Sequence, residues 1–464
     1  MKRRTSRSSL KVFAILALLA FVGCNKNETS RTEQEEKPAA TVLPKNSFEA
    51  VTAQLDPGGD LYTYVGTEQW LQGLSGKVAG WSQLLNSIPD LTAENQTNIG
   101  MALKVVTNLV QASGLEQVKA FGLSSVPHED GLHRSKAFLY CGKDNSSGFL
   151  WNLFGSAPHA LNGLDLLPTN TALATFSDLN VSLFWSVLQK QVAQSGIPQA
   201  EELLKKLPDG FEKATGLNWD KVMSSLGGEF GFAITLDDSK TVIIPVGQDK
   251  RLELPEPALM LVVRVNDDTL FNRIDGALKQ SGQQVFSTDK PKLKMRTLPV
   301  PLPLPIQLGF TVAQSEGYLF IATTDLIVQQ ALAVKAGEKP GLKSTGEFQR
   351  LAKGIPQQGN HFTYVSQRFG QTMSRLQRQA IELAGSKENP HQKWLQSLLN
   401  ANQPVFSYSV GSHIPDGWLI VANGNQGAAK FILTSAVIPA AVTAGVAIPA
   451  IVKARQASQS NSAK

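Results

Sequence analysis

The sequence predicts an α+β protein in which antiparallel sheets are flanked by helices. Three observations carry that expectation. Short runs of β-branched and aromatic residues alternate with longer helical patterns, and Gly, Pro, Asn and Asp mark their boundaries. The order strand–helix–helix–strand–strand recurs, weakly, three times as an internal repeat. A 22-residue stretch without a charge, from Phe431 to Val452, adds a predicted C-terminal transmembrane helix.

Residues 1–24 read as a lipoprotein signal peptide. Lys2, Arg3, Arg4, Arg7 and Lys11 form a basic leader, and residues 12–22 (VFAILALLAFV) form a short apolar core. Val22-Gly23-Cys24 closes a segment that resembles a bacterial lipobox, with Phe21 where Leu is usual. The resemblance implies that Cys24 becomes the mature N-terminus and carries the lipid. An uncleaved N-terminal anchor is the alternative. Asn25 follows the cysteine, so an Asp retention signal is not at that position. Residues 25–60 are polar, with charges of both signs, and are expected to be a disordered tether.

The first α+β unit is placed at residues 61–167. LYTYV (61–65) opens it, helical patterns follow at 69–88 and 94–112, and strands at 118–124 and 135–140 close it. The second unit, 168–360, repeats the order with TALATF (171–176), helices at 181–194 and 219–226, and strands at 229–236 and 258–265. It carries a long insertion, 267–359, with helices at 269–280 and 325–335 and strands at 308–313 and 317–322. Asp267 is expected to cap the first of these helices and Gly282 to end it. Residues 299–305 (PVPLPLP) favour polyproline II and are excluded from a central strand; they read as a connector or an apolar finger. A third, shorter unit spans 361–424, with HFTYV (361–365), helices at 369–384 and 391–399, and strands at 405–410 and 418–422.

A helix over residues 431–452 would rise about 33 Å, enough to cross a hydrocarbon core of roughly 30 Å. Pro439 and Pro449 weaken it, and a buried or interfacial helix is the alternative. Lys453, Arg455 and Lys464 lie in the basic polar tail, 453–464, and no acid follows Asp416, as expected of a cytoplasmic tail. Ala436, Ala440 and Ala444, with Ala441 and Gly445, form a small-residue stripe on which another helix could pack. AGVAIPAIVKARQASQ (444–459) is weakly similar to the apolar helix of type IV pilin-like proteins. It sits at the opposite end of the chain and lacks the leader-peptidase motif.

The chain has 44 Lys and Arg against 38 Asp and Glu. Nine of the basic residues and none of the acids lie in residues 1–24 and 430–464, Lys430 included, so the remainder holds 35 against 38. The pI of 9.1 therefore reports targeting, and nucleic-acid binding is not expected. Cys141 is left without an intramolecular partner once Cys24 is lipidated and is expected to be a buried, inert thiol.

Motif chemistry is sparse. Gly73-Leu-Ser-Gly76-Lys77-Val78 lacks the first glycine and the hydroxyl of a phosphate loop. His128-Glu-Asp-Gly-Leu-His133 reads as a hairpin turn more readily than as a metal site, and the other histidines form no pair in sequence. Asp237-Asp238 and Asp267-Asp268 read as turn and cap residues. No catalytic residue, cofactor site or metal ligand is predicted.

LLPTNTALATFSDL (166–179), LGGEFGFA (226–233), PALMLVVRVND (257–267), GYLFIATTD (317–325) and LKSTGEF (342–348) resemble a bacterial envelope family known as a domain of unknown function. The resemblance implies an exported α+β domain and transfers no catalytic residue. The expected protein is a non-enzymatic, membrane-anchored lipoprotein with its body in the periplasm, held to membrane lipid through Cys24 and 431–452. It would bind a hydrophobic ligand, a peptide or a protein partner. An exported hydrolase with a site assembled from distant residues, and a structural component of a secretion or pilus-like assembly, are the alternatives.

Overall fold

The computed structural model describes residues 46–85, 92–142, 148–245, 251–300, 308–384 and 404–427. Cys24, the Ala436–Gly445 stripe and the predicted membrane helix lie outside them. Among the described residues no helix is long and apolar enough to cross a membrane.

The expected strands are present; the helix expected at 391–399 lies outside the described residues. In the first part of the chain β1 (Leu61–Gly66) pairs with β2 (Ala120–Pro127), which pairs with β3 (His133–Tyr140). A two-residue strand, β4 (His159–Ala160), precedes β5 (Thr171–Asp178), β6 (Leu226–Pro245) and β7 (Arg251–Val265), which pair in that order. The insertion supplies β8 (Phe286–Lys290), β9 (Leu293–Val300), β10 (Leu308–Ser315) and β11 (Tyr318–Ala322). After β12 (Gln358–Gly359) come β13 (His361–Val365), β14 (Ser407–Ile414) and β15 (Gly417–Gly424), again paired in sequence.

These pieces do not form separate sheets. Thirteen of the described strands make one antiparallel sheet in the order β1-β2-β3-β15-β14-β13-β5-β6-β7-β11-β10-β9-β8, and β4 pairs with β12 in a small ribbon. The third part of the chain is thus inserted between the first two, with β15 on β3 and β13 on β5.

Alternation of side chains along a strand sends Met260 and Val262 of β7 into one core and Val263 and Val265 into another. The larger core lies under helices Asp325–Lys335 and Gly346–Ala352, with Phe320, Ile327, Leu342, Leu351 and Tyr364 buried. On the other face, Phe271 and Leu278 of helix Thr269–Gln280 pack on Val263, Val312 and Leu319. Arg296, almost wholly buried, ties that helix to the sheet through Asp275 and Asp289, each at 2.8 Å.

Several local expectations are corrected. The tether expected over 25–60 is ordered where it is described: helix Ser47–Thr52, capped by Asn46, buries Val51, and with Leu55 it packs on Ala120 and Phe138. The helical pattern at 69–88 is two helices, Glu68–Leu71 and Leu74–Leu85, because Gly73 between them has φ +71°. Helix Pro198–Thr215 is not predicted by the sequence: Pro208-Asp-Gly inside it is turn chemistry, and none of its residues is buried. It is held instead by the Phe211 ring on Trp219, 5.1 Å away, and by Arg273 donating to the Thr215 carbonyl. Pro299 and Val300 belong to β9, not to a connector; residues 301–307 lie outside the described set. Pro299 is tolerated because β8 pairs only with residues 293–297, leaving that side of β9 free of a partner needing its N–H.

The segment His128–His133 is a hairpin turn between β2 and β3, as its Pro and Gly neighbours predict. His128 meets Arg134, while His133 faces Asp60 at 3.2 Å. Asp267 accepts from the Thr269 N–H and the Ser225 hydroxyl at the start of its helix. Cys141 is buried, and burial pushes its thiol up to about 12.

At the β5–β13 seam, Phe176 and Phe362 stack with ring centroids 5.1 Å apart. A Cβ on Gly231 would lie 2.1 Å from the Phe176 ring. Gly231→Ala should therefore overpack this seam and destabilise the protein by about 1–3 kcal/mol in denaturant unfolding. A stability equal to wild type would show that the ring can move aside.

Candidate functional site

The ends of β5, β6 and β7 meet at one end of the sheet, and a cavity of about 570 Å³ opens there. His159, Asp178, Glu229 and Arg264 supply its charged lining, and Asn152, Asn180 and Asn266 add amides. Gly155, Gly227 and Gly228 contribute bare backbone.

Asp178 is the last residue of β5 and lies directly across from Glu229 of β6. A register shift between Leu226 and Phe230 marks a bulge in β6 at this point, and Gly228 has φ +85°, a conformation that favours glycine. Like charges opposite each other oppose ionisation of both. The structure resolves the conflict by treating the two acids differently.

Asp178 is heavily partnered. His159 Nε2 lies 2.9 Å from both carboxylate oxygens, and Asn360 Nδ2 donates to Oδ2 at 3.0 Å. Asn360 is itself fully engaged: it donates to the Ala157 carbonyl at 2.7 Å and accepts from the His413 N–H at 2.9 Å. The β4–β12 ribbon, pairing His159 with Gly359, brings the histidine alongside Asn360. Gly155 must be glycine: its φ is +92°, and a Cβ would sit 2.3 Å from Asp178 Oδ2.

The second nitrogen of His159, Nδ1, lies 2.8 Å from the Ala160 carbonyl. Both ring nitrogens thus face acceptors, an arrangement that suits the imidazolium. Burial alone would lower the pKa of His159, but the Ala160 carbonyl and Asp178 outweigh it and raise the value above the ordinary 6.5.

Glu229 is 8% exposed. Its Oε2 accepts from the Tyr318 hydroxyl at 3.3 Å, and that hydroxyl in turn accepts from Arg264 at 3.4 Å. Burial raises the Glu229 pKa, and Asp178 adds to the rise against the opposing pull of Tyr318, His159 and Arg264. Two cations approach the Tyr318 ring, Arg264 at 5.6 Å and Lys335 Nζ at 4.7 Å from its centroid.

The sequence singles out none of these residues as functional. His159 stands among histidines without a sequence partner, and Asp178 and Glu229 lie inside stretches that read as structural. Each belongs to a different strand, so only pairing in the sheet brings them together. Among the described residues no group of three or more His, Cys, Asp or Glu is placed to hold a metal ion.

The chain belongs to the family described as "Protein of unknown function (DUF3352)", which it matches over residues 113–403. That span contains every residue lining the cavity. No curated protein and no solved structure matches the chain.

Two measurements test this electrostatic arrangement. NMR titration should find His159 above its ordinary value in the wild type and lower in Asp178→Asn. Because the folded value is raised, the stabilisation is complete below the unfolded pKa and fades as pH rises through the folded one. For Glu229 the buried charge is the unfavourable form. Glu229→Gln should raise the unfolding midpoint at neutral pH, and the gain should shrink on acidification as the wild-type carboxyl protonates.

Proposed function

We propose that this protein is an exported, membrane-anchored envelope protein that binds a small polar ligand of peptide character, without catalysing its conversion. The cavity carries this reading. Its Asn side chains offer the donor and acceptor pattern of a peptide bond, and its two acids, histidine and arginine supply charge of both signs. Of the occupants expected from sequence, a hydrophobic ligand suits this polar lining least.

The exported-hydrolase reading has one feature in its favour, the His159–Asp178 pair. A triad histidine orients one nitrogen on the acid and keeps the other for the nucleophile. His159 has both nitrogens on acceptors, which supports binding over hydrolysis. The address rests on the basic leader, the apolar core and Cys24, with residues 431–452 as the second anchor.

Mass spectrometry should find an acylated mature N-terminus at Cys24 and an unprocessed precursor in Cys24→Ala. An unacylated wild-type chain beginning at Met1 would remove the lipoprotein reading. For the cavity, short peptides should raise the unfolding midpoint of the wild type. Asn152→Trp, at an exposed position on the rim, should abolish that rise while leaving the unliganded midpoint near wild type. Equal responses in the two proteins would place binding elsewhere.

A further inference from the structure

We infer that the cavity selects its ligand by two free ends, seating an ammonium on Glu229 and a carboxylate on Arg264, as a dipeptide or a single α-amino acid would present them. The inference rests on the reading of the cavity as a peptide site.

The charges of the cavity are not all in the same condition. His159 and Asp178 pair with each other. Among the described residues Glu229 and Arg264 form no salt bridge, although both line the cavity. Each meets the Tyr318 hydroxyl instead, so Glu229 Oε2 and Arg264 Nη1 are no more than about 6.7 Å apart. One acid and one guanidinium are thereby held close together through a neutral hydroxyl, without a direct ion pair between them. A buried acid left this way is costly in the empty protein and gains most from an incoming cation. The guanidinium fork suits a carboxylate equally well.

The span between the two groups favours a compact zwitterion. A chain extends by about 3.3–3.6 Å per residue, so an amino acid or dipeptide matches the short separation better than a longer peptide. The remaining lining is compatible with the middle of such a ligand. Asn266 is pinned through its Nδ2 to the carbonyls of Ser224 and Leu226, and Asn180 caps helix Val181–Ser195 through its Oδ1. Each amide group is thus fixed in orientation by half of its hydrogen-bonding capacity, leaving the other half for a ligand amide. Among the described residues Leu226 is the sole large apolar side chain in the lining, which favours small or polar side chains on the ligand.

The experiment is calorimetric titration of the full-length protein in detergent micelles with L-alanyl-L-alanine, its N-acetyl form and its C-terminal amide. The wild type should bind the free dipeptide and lose about tenfold or more in affinity for each capped form, the loss of one charge-assisted contact. In Glu229→Gln, acetylation should no longer matter while amidation still does. In Arg264→Gln the pattern should reverse, as independent contacts require. Capped forms that bind the wild type as well as the parent would overturn the inference, and this arm needs no variant to fold. So would failure of the free dipeptide to bind at all. Equal binding of all three, abolished by Asn152→Trp, would overturn the end selectivity and leave the peptide site standing. Binding of the free dipeptide undiminished by Asn152→Trp would instead overturn the cavity reading itself.

Discussion

The pairing of β5 with β13 is the constraint on which the rest of the structure depends. It joins residue 171 onward to residue 361 onward, and it converts what the sequence suggests as consecutive units into one continuous sheet. The stacked rings of Phe176 and Phe362 hold the seam from inside the larger core. Gly163 and Gly231 leave room for the Phe176 ring, since a Cβ on either would lie within 2.5 Å of it. At the end of the same seam the Asp178 N–H donates to the Asn360 carbonyl, and the two side chains meet. Packing in the core and geometry in the cavity are therefore consequences of one registration.

That registration also explains how two acids coexist across adjacent strands. Asp178 receives an imidazole and an amide. Glu229, pressed into the protein by the bulge in β6, receives a long hydrogen bond from a tyrosine. A buried carboxyl with a raised pKa beside a second, well-partnered acid is a recurring property of functional sites. Here the partners of Asp178 are brought in by β4, β12 and β13, none of which adjoins β6 in sequence.

Much of the architecture was legible because strands and helices are written in local patterns. HFTYV at 361–365, Thr269–Gln280 and Asp325–Lys335 match their expected limits, and each has clear boundary residues. Two departures from the expected elements share a cause. Pro208-Asp-Gly and Pro299 carry strong local signals for turns and connectors, and tertiary surroundings overrode them. The helix around Pro208 is stabilised from outside by Trp219 and Arg273. The strand around Pro299 has no described neighbour on the side where its N–H would be missed.

By itself the sequence determined an α+β chain, its acid-leaning composition between the end segments, the burial of Cys141 and its family. These follow from composition and from periodicities of a few residues, which the local backbone obeys wherever it is placed. The placement of β13, β14 and β15 between β3 and β5, and with it the meeting of His159, Asp178, Glu229, Arg264 and Asn360, was decided by tertiary structure alone. Hydrogen bonding between strand edges is the same for almost any side chain, so nothing in β5 announces β13 as its neighbour. The choice belongs to the packing of complete faces, and the polar cavity is assembled where those faces end.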